Sequence, residues 1–228
     1  MKLIWRLLFL YFLPIIAFSQ DAKTDLSIQV TFQGEQLELG KNYYSDELKD
    51  SIQFDKLQFY ISDISLVTED GKKDTLAKKY HLVDYSDLKT LVMGQVVINS
   101  NTIGYEFNLG IDSITNVSGV FGGDLDPTIG MYWTWQSGYI NFKLEGKSGV
   151  INSRSKEFQF HLGGYSFPNK NVTQVHLKAE NIPLNSIELP LDKLIDKIDL
   201  KTFNTIMSPS KDAVKVTELI GETFFIKK

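Results

Sequence analysis

KLQFYISDISLV, residues 56 to 67, decides the fold. Leu57, Phe59 and Ile61 fall on one face of an extended chain, the two-residue period of a half-buried strand. The apolar set then slips by one position, to Ile64 and Leu66. A bulge or bend near Ser62 and Asp63 is the simplest way to keep both sets on the same side. The pattern repeats outward from there. Upstream, Leu26, Ile28, Val30 and Phe32 alternate with Ser27, Gln29, Thr31 and Gln33, and Gly34 ends the run. Downstream, EDGKKD (69 to 74) carries a DG turn and reads as a hairpin tip. YHLVDY (80 to 85), GQVVI (94 to 98) and YEFNLGI (105 to 111) follow as further strands. Short strands punctuated by turn residues predict an all-β fold, an antiparallel β-sandwich.

Helical signals are few. SDELKDS (45 to 51) has the composition of a single helical turn, and SPSKDAVKVTELIGE (208 to 222) reads as a short, peripheral C-terminal helix. The chain of 228 residues shows no internal repeat, low-complexity tract or linker. The first residues, MKLIWRLLFLYFLPIIAFSQ, place Lys2 and Arg6 before an apolar run that ends in Ala17, Phe18 and Ser19. That is the pattern of a secretory signal peptide over residues 1 to 19, too short and too interrupted by Pro14 to anchor the chain in a bilayer. One domain over residues 20 to 228, periplasmic or secreted, is the expectation. There is no cysteine, so an exported chain of this sequence has no disulfide framework and relies on its core. Removing Lys2 and Arg6 with the leader takes the formal charge from −4 to −6. A mildly acidic protein repels a phosphate backbone, and nucleic acid is excluded as a partner.

The chemistry concentrates in MYWTWQSGYINFKLEG, residues 131 to 146. Apart from Trp5 in the leader, Trp133 and Trp135 are the tryptophans of the chain. In one unbroken strand, Ile140, Phe142 and Leu144 face the core, and both indoles point the other way with Tyr139, Asn141 and Lys143. A bulge at Ser137 and Gly138 would instead turn the indoles into the core. Of the three histidines, two occupy neighbouring strand patterns. His161 lies opposite Phe158, Phe160 and Leu162 in EFQFHLGG, and His176 lies opposite Val175 and Leu177 in TQVHLKA. Paired as a hairpin across GYSFPNKN, they share one surface, and in one register they approach within about 5 Å at Cβ, a spacing that suits copper or zinc. His81, which alternates with Val83, points partly inward and is a third candidate ligand.

Several chemistries are absent: no cysteine nucleophile, phosphate loop, GxSxG elbow or HExxH helix occurs. GGDLDPTIG (122 to 130) holds Asp124 and Asp126 two apart, but without the further acidic ligands of a calcium loop it reads as a glycine-rich turn. The chain is therefore read as a non-enzymatic protein.

GGDLDPTIGMYWTWQSGYINFKLEG and FQFHLGGY, with LQFYISDISLV and YHLVDYSD upstream, resemble the MbnP-like family of exported copper-binding proteins. The likeness runs from about residue 25 to about residue 185 and is most specific in WxWxxGY and FHxG. It implies an all-β exported domain in which histidine holds copper near a tryptophan that a di-haem, MauG-like peroxidase partner oxidises to kynurenine. By position, Trp133 and Trp135 match the paired tryptophans and His161 matches the histidine of FHxG. The family's histidine after the LG of NLGID is missing here, where DSITNVSGVFGG stands, and so are the cysteines that often follow FHxG. The copper site is then altered, completed by His176 or His81, or lost. The competing expectation, from the residues alone, is a metal-free interaction module that docks a protein or glycan through Trp133, Trp135, Tyr139 and Tyr165.

Overall fold

The computed structural model describes residues 22–135, 138–179 and 185–227. The leader, and Ser137 of the expected bend, lie outside the described residues. The strands are β1 (Ala22–Phe32), β2 (Glu35–Gln36), β3 (Asn42–Ser45), β4 (Asp50–Thr68), β5 (Lys73–Thr75), β6 (Tyr80–Asp84), β7 (Val92–Ile98) and β8 (Thr102–Leu109). Helix α1 (Ser113–Val117) follows, then β9 (Tyr132–Trp133), β10 (Gly138–Ser148), β11 (Glu157–Gly163), β12 (Thr173–Lys178) and β13 (Ser186–Pro190). The chain closes with α2 (Leu191–Ile195), β14 (Thr205–Ile206), α3 (Lys211–Gly221) and β15 (Phe225–Ile226).

The architecture is mainly β and sandwich-like. A smaller sheet runs β15-β13-β1-β2, with β7 also on β1, and a larger one runs β12-β8-β4-β10-β11-β14, with β3, β5 and β6 also on β4. Most pairs are antiparallel, but β13 lies parallel to β1 and β14 parallel to β11, so the sheets are mixed. The spine of the larger sheet is β4, at 19 residues. β10 pairs with Ile52–Phe59 of it, and β8 with Ile61–Thr68. The bulge expected near Ser62 and Asp63 is present: the register against β8 shifts between Ser62 and Ser65, and Asp63 takes φ 53°. The shift returns Ile64 and Leu66 to the core alongside Leu57, Phe59 and Ile61.

Between the sheets lies an aromatic-rich core. Phe32, Phe54, Phe59, Phe107, Phe142, Phe158 and Phe160 are all fully buried there. Phe59 stacks on Phe142 at 5.4 Å, and Phe224 closes edge-on against Phe59 and Phe107. Two helical expectations change. Residues 46 to 49 form the turn between β3 and β4, with Lys49 at φ 53°, because pairing of Asn42–Ser45 with Asp50–Gln53 outweighs one turn of helix. The C-terminal helix forms, capped by Ser210 Oγ accepting from Ala213 N at 3.0 Å. It is not merely peripheral, since Ala213, Val216 and Ile220 belong to the main core.

Candidate metal centre at the tryptophan loop

Residues 111 to 135 fold back over the outer face of the larger sheet, on the side away from the main core. They bring a second apolar cluster with them: Ile111, Leu125, Met131 and Trp133 pack on Tyr60, Leu82, Tyr139 and Ile140 of the sheet. Polar groups pin this cover down. Asp124 Oδ2 accepts from Leu82 N at 2.8 Å and from Lys78 Nζ at 2.7 Å. Tyr60 donates to the carbonyl of Asp124, and Tyr139 donates to that of Leu125 while accepting from Phe121 N. Burial raises the Tyr60 phenol far above its ordinary range, so it stays a donor. Asp126 caps the short helix at Pro127–Ile129. GGDLDPTIG is thus the structural turn the sequence suggested, with both carboxylates engaged by N–H donors. Tyr139 is fully buried, a pillar under the loop rather than an exposed aromatic.

Neither simple reading of the tryptophan strand describes what forms. Trp133 is buried at 6% exposure and Trp135 stands out at 64%, with ring centroids 5.8 Å apart. The irregularity of β10 falls between Ile140 and Phe142, where Asn141 interrupts the pairing with β11. Ile140 therefore joins the outer cluster while Phe142 and Leu144 stay in the main core. Trp133 is held by pairing with Gly138, by Ile140 N donating to Met131 O at 3.0 Å, and by Lys143 Nζ donating to Gly130 O.

The indole has a seat. A Cβ on Gly163 would lie 2.7 Å from Cζ3 and 3.1 Å from Cη2 of Trp133, so the benzo edge of Trp133 rests on that glycine. Gly163 and His161 are two residues apart in β11 and face the same way. The tryptophan loop thus lies on the same face as His161, next to it. His161 is 8% exposed, although it points away from the main core as expected. Its Nε2 is 2.6 Å from Glu145 Oε1. Burial pulls its pKa below the usual histidine value despite this bond, with Lys143 adding to the lowering, so the ring is neutral at pH 7. Burial likewise lowers the pKa of Lys143, its cross-strand partner.

The hairpin expected between the two histidine strands does not form. β11 pairs with β10, and β12 pairs with β8. Through Lys143, His161 is level with Gln58 of β4; through Glu106, His176 is level with Ser65. The levels at 58 and 65 lie about 23 Å apart at ~3.3 Å per residue. His176 is solvated, its side chain 60% exposed and 3.2 Å from Glu106 Oε2. His81 pairs with Ile61 on the opposite edge of β4 and points inward, as its alternation with Val83 suggested. Its Nε2 donates to Thr90 O at 2.6 Å, and its Nδ1 accepts from Lys78 Nζ at 3.3 Å, so both nitrogens are spent. Trp133 and the Tyr139 carbonyl thus meet at Gly163, two residues from His161 on the same face of β11, Trp135 packs on Trp133, and His176 and His81 lie elsewhere. Among the described residues, no group of three or more His, Cys, Asp or Glu side chains could enclose a metal ion. The sequence reading missed Glu145, Lys143 and Gly163. The alternation of INFKLEG puts Lys143 and Glu145 on one face, but only the β10–β11 register carries them to His161.

Comparison with known proteins bears on this same ground. The family model for MbnP matches residues 21–208. The chain belongs to the MbnP family. Comparison with curated proteins gives no match. Among solved structures, MbnP from Methylosinus trichosporium superposes with a TM-score of 0.55 at 14% identity, over 83% of this chain and 81% of that one. At that identity the likeness speaks for the fold, and the sandwich-like architecture is the MbnP one.

Proposed function

We propose that this MbnP-family protein is an exported copper-binding protein of the cell envelope, serving metal acquisition or storage rather than catalysis. His161 is its protein ligand, with Trp133 and Trp135 beside the ion. The observation that carries the reading is the seat of Trp133 on Gly163, which gathers an indole and an imidazole from distant parts of the chain on one covered face. His161 offers one imidazole nitrogen, a donor type that suits copper, and no four-coordinate zinc cage is built among the described residues. Bound copper would supply a redox-active centre next to the indole pair. Export agrees with the family and with the leader pattern, and no helix of the described residues is long and apolar enough to cross a membrane.

The resemblance also carries kynurenine and a di-haem peroxidase partner into this proposal. Trp135, 64% exposed, is the indole that an external oxidant meets first, and Trp133 lies behind it at 5.8 Å. Purified protein titrated with copper(I) against a chromophoric chelator should take up one ion per chain. His161→Ala should abolish the uptake, and His176→Ala should not change it. Uptake that survives His161→Ala would overturn the assignment.

A second reading is favoured by a distinct observation. Ile114, Val117, Val120, Phe121, Trp135 and Phe167 are all exposed. They come from α1, the turn after it, the tryptophan segment and the loop after β11, and Ser113 Oγ ties α1 to that loop by donating to Tyr165 O at 2.6 Å. Apolar side chains grouped this way suit a docking surface for a protein. Failure of the protein to bind copper, together with loss of partner capture on Trp135→Ala, would favour that reading.

A further inference from the structure

Three stretches of the chain carry no charged residue: 113 to 123, 127 to 142 and 162 to 169. They amount to 35 residues, which at the chain's 23% of charged residues would hold about eight. The fold brings all three to one place, around Gly138 and Tyr139. Asn116 of α1 accepts from Tyr139 N at 2.8 Å, and Phe121 N donates to the Tyr139 hydroxyl. Gly138 pairs with Trp133, and a Cβ on Gly138 would lie 3.0 Å from the Tyr165 ring. Ser113 Oγ completes the tie by donating to Tyr165 O. From these stretches project Ile114, 77% exposed, and Phe167, 95% exposed, with Val117, Val120, Phe121 and Trp135 exposed between them in sequence. The acids that bound the stretches are engaged by the protein's own donors. Asp112 caps α1 and pairs with Lys79, Asp124 holds Leu82 N and Lys78, and Asp126 accepts from Thr128 N.

Shape and charge argue for what covers this face. A side chain 95% exposed stands clear of its neighbours, so a folded partner would need a matching hollow for each projecting tip. A bilayer needs none, because lipid closes around an apolar group that enters it. An uncharged face also loses no ionic solvation on entering, and aromatic side chains favour the boundary between headgroups and acyl chains. The formal charge of −4, or −6 without Lys2 and Arg6, disfavours anionic lipid. We propose that this face is a lipid-docking surface: Ile114, Val117, Phe121, Trp135 and Phe167 enter the interface of a zwitterionic bilayer and hold the folded domain there peripherally. The proposal goes beyond the copper reading, does not depend on it, and assigns to lipid the face that the second reading assigns to a protein.

The test uses protein without the apolar leader and without metal. It should float with phosphatidylcholine vesicles in a density gradient, and its tryptophan emission should shift to the blue as Trp135 leaves water. Lipids with brominated acyl chains should quench that emission. Phe167→Ser and Ile114→Ser alter side chains that stand in solvent, so circular dichroism should stay unchanged. Each should lower the vesicle partition coefficient about 10-fold, and the two together about 100-fold. Tyr44→Ser, at an exposed aromatic of β3 outside this face, should leave it unchanged. Absence of flotation at millimolar lipid would overturn the proposal, as would binding that the paired substitution leaves intact or that Tyr44→Ser weakens equally. Binding confined to anionic vesicles and lost in salt would overturn it too. Self-association in lipid-free buffer that the paired substitution abolishes, without flotation, would give the face to a protein partner instead.

Discussion

The outer face of the larger sheet has two halves, and each carries one histidine. Over the β10–β11 half lie residues 111 to 135, and His161, Lys143 and Gln58 are buried polar groups in that half. Over the β8–β12 half nothing comparable lies on His176, which sits in solvent with Glu106. Both histidines have a carboxylate neighbour and both project from strands of the same sheet. The difference lies in the cover. On the covered half, burial lowers the pKa of His161, one of its nitrogens has no hydrogen-bond partner among the described residues, and Trp133 is seated two residues away on Gly163. The same residue type without a cover is a solvated histidine beside a carboxylate, a surface contact that contributes little.

If the cover makes the site, disturbing it should matter far more than editing the bare half. Gly163→Ala puts a methyl group into the benzo edge of Trp133 and against Tyr139 O, 2.5 Å from the added carbon. It should cost about 1–3 kcal/mol in denaturant unfolding and shift tryptophan emission to the red, whereas His176→Ala should stay within about 0.5 kcal/mol. Equal effects of the two substitutions would erase the distinction. Asp124→Ala removes the acceptor of Leu82 N and the partner of Lys78, and should cost about 1–2 kcal/mol by leaving a part-buried donor unpaired. That variant should also loosen the loop, read as faster amide exchange over residues 111 to 135 with little change over β12.

The smallest effect expected is on the pH dependence. Burial holds the pKa values of both His81 and His161 below the usual ~6.5. The unfolded chain then binds more protons than the folded one as pH drops through that value. Stability present above about pH 6.5 is lost toward the lower folded values. Unfolding measured from pH 7.5 to 5 should show this decline, and His81→Gln, which can still donate to Thr90 O, should flatten it. A slope unchanged by His81→Gln would contradict the burial account of that ring.

Much of the fold was legible because alternation is a local signal. β1, β4, β6, β7 and β8 follow it, and the displaced apolar pair Ile64 and Leu66 announced the bulge at Asp63. The pairing of strands was less legible. The parallel partner of β1 is β13, at Ser186–Pro190, and nothing in either segment names the other. The hairpin placed between β11 and β12 instead joins β10 and β11, through a turn at residues 149 to 156 in which Lys156 takes φ 59°. GYSFPNKN had the turn residues of a hairpin loop, but the chain there runs on from the edge of β10 to the edge of β8. His161 and the tryptophan pair stood out through the family resemblance. Glu145 did not, because one acidic residue among 28 gains its meaning only from the register that brings it to His161.

The central claim is that Trp133 and His161 share one covered pocket, and quenching of a single indole tests it most directly. In mature protein carrying Trp135→Phe, Trp133 is the remaining emitter. Stoichiometric copper should quench it strongly, His161→Ala should remove the quenching, and His176→Ala should leave it intact. Copper bound at one ion per chain with Trp133 emission undimmed would contradict the account.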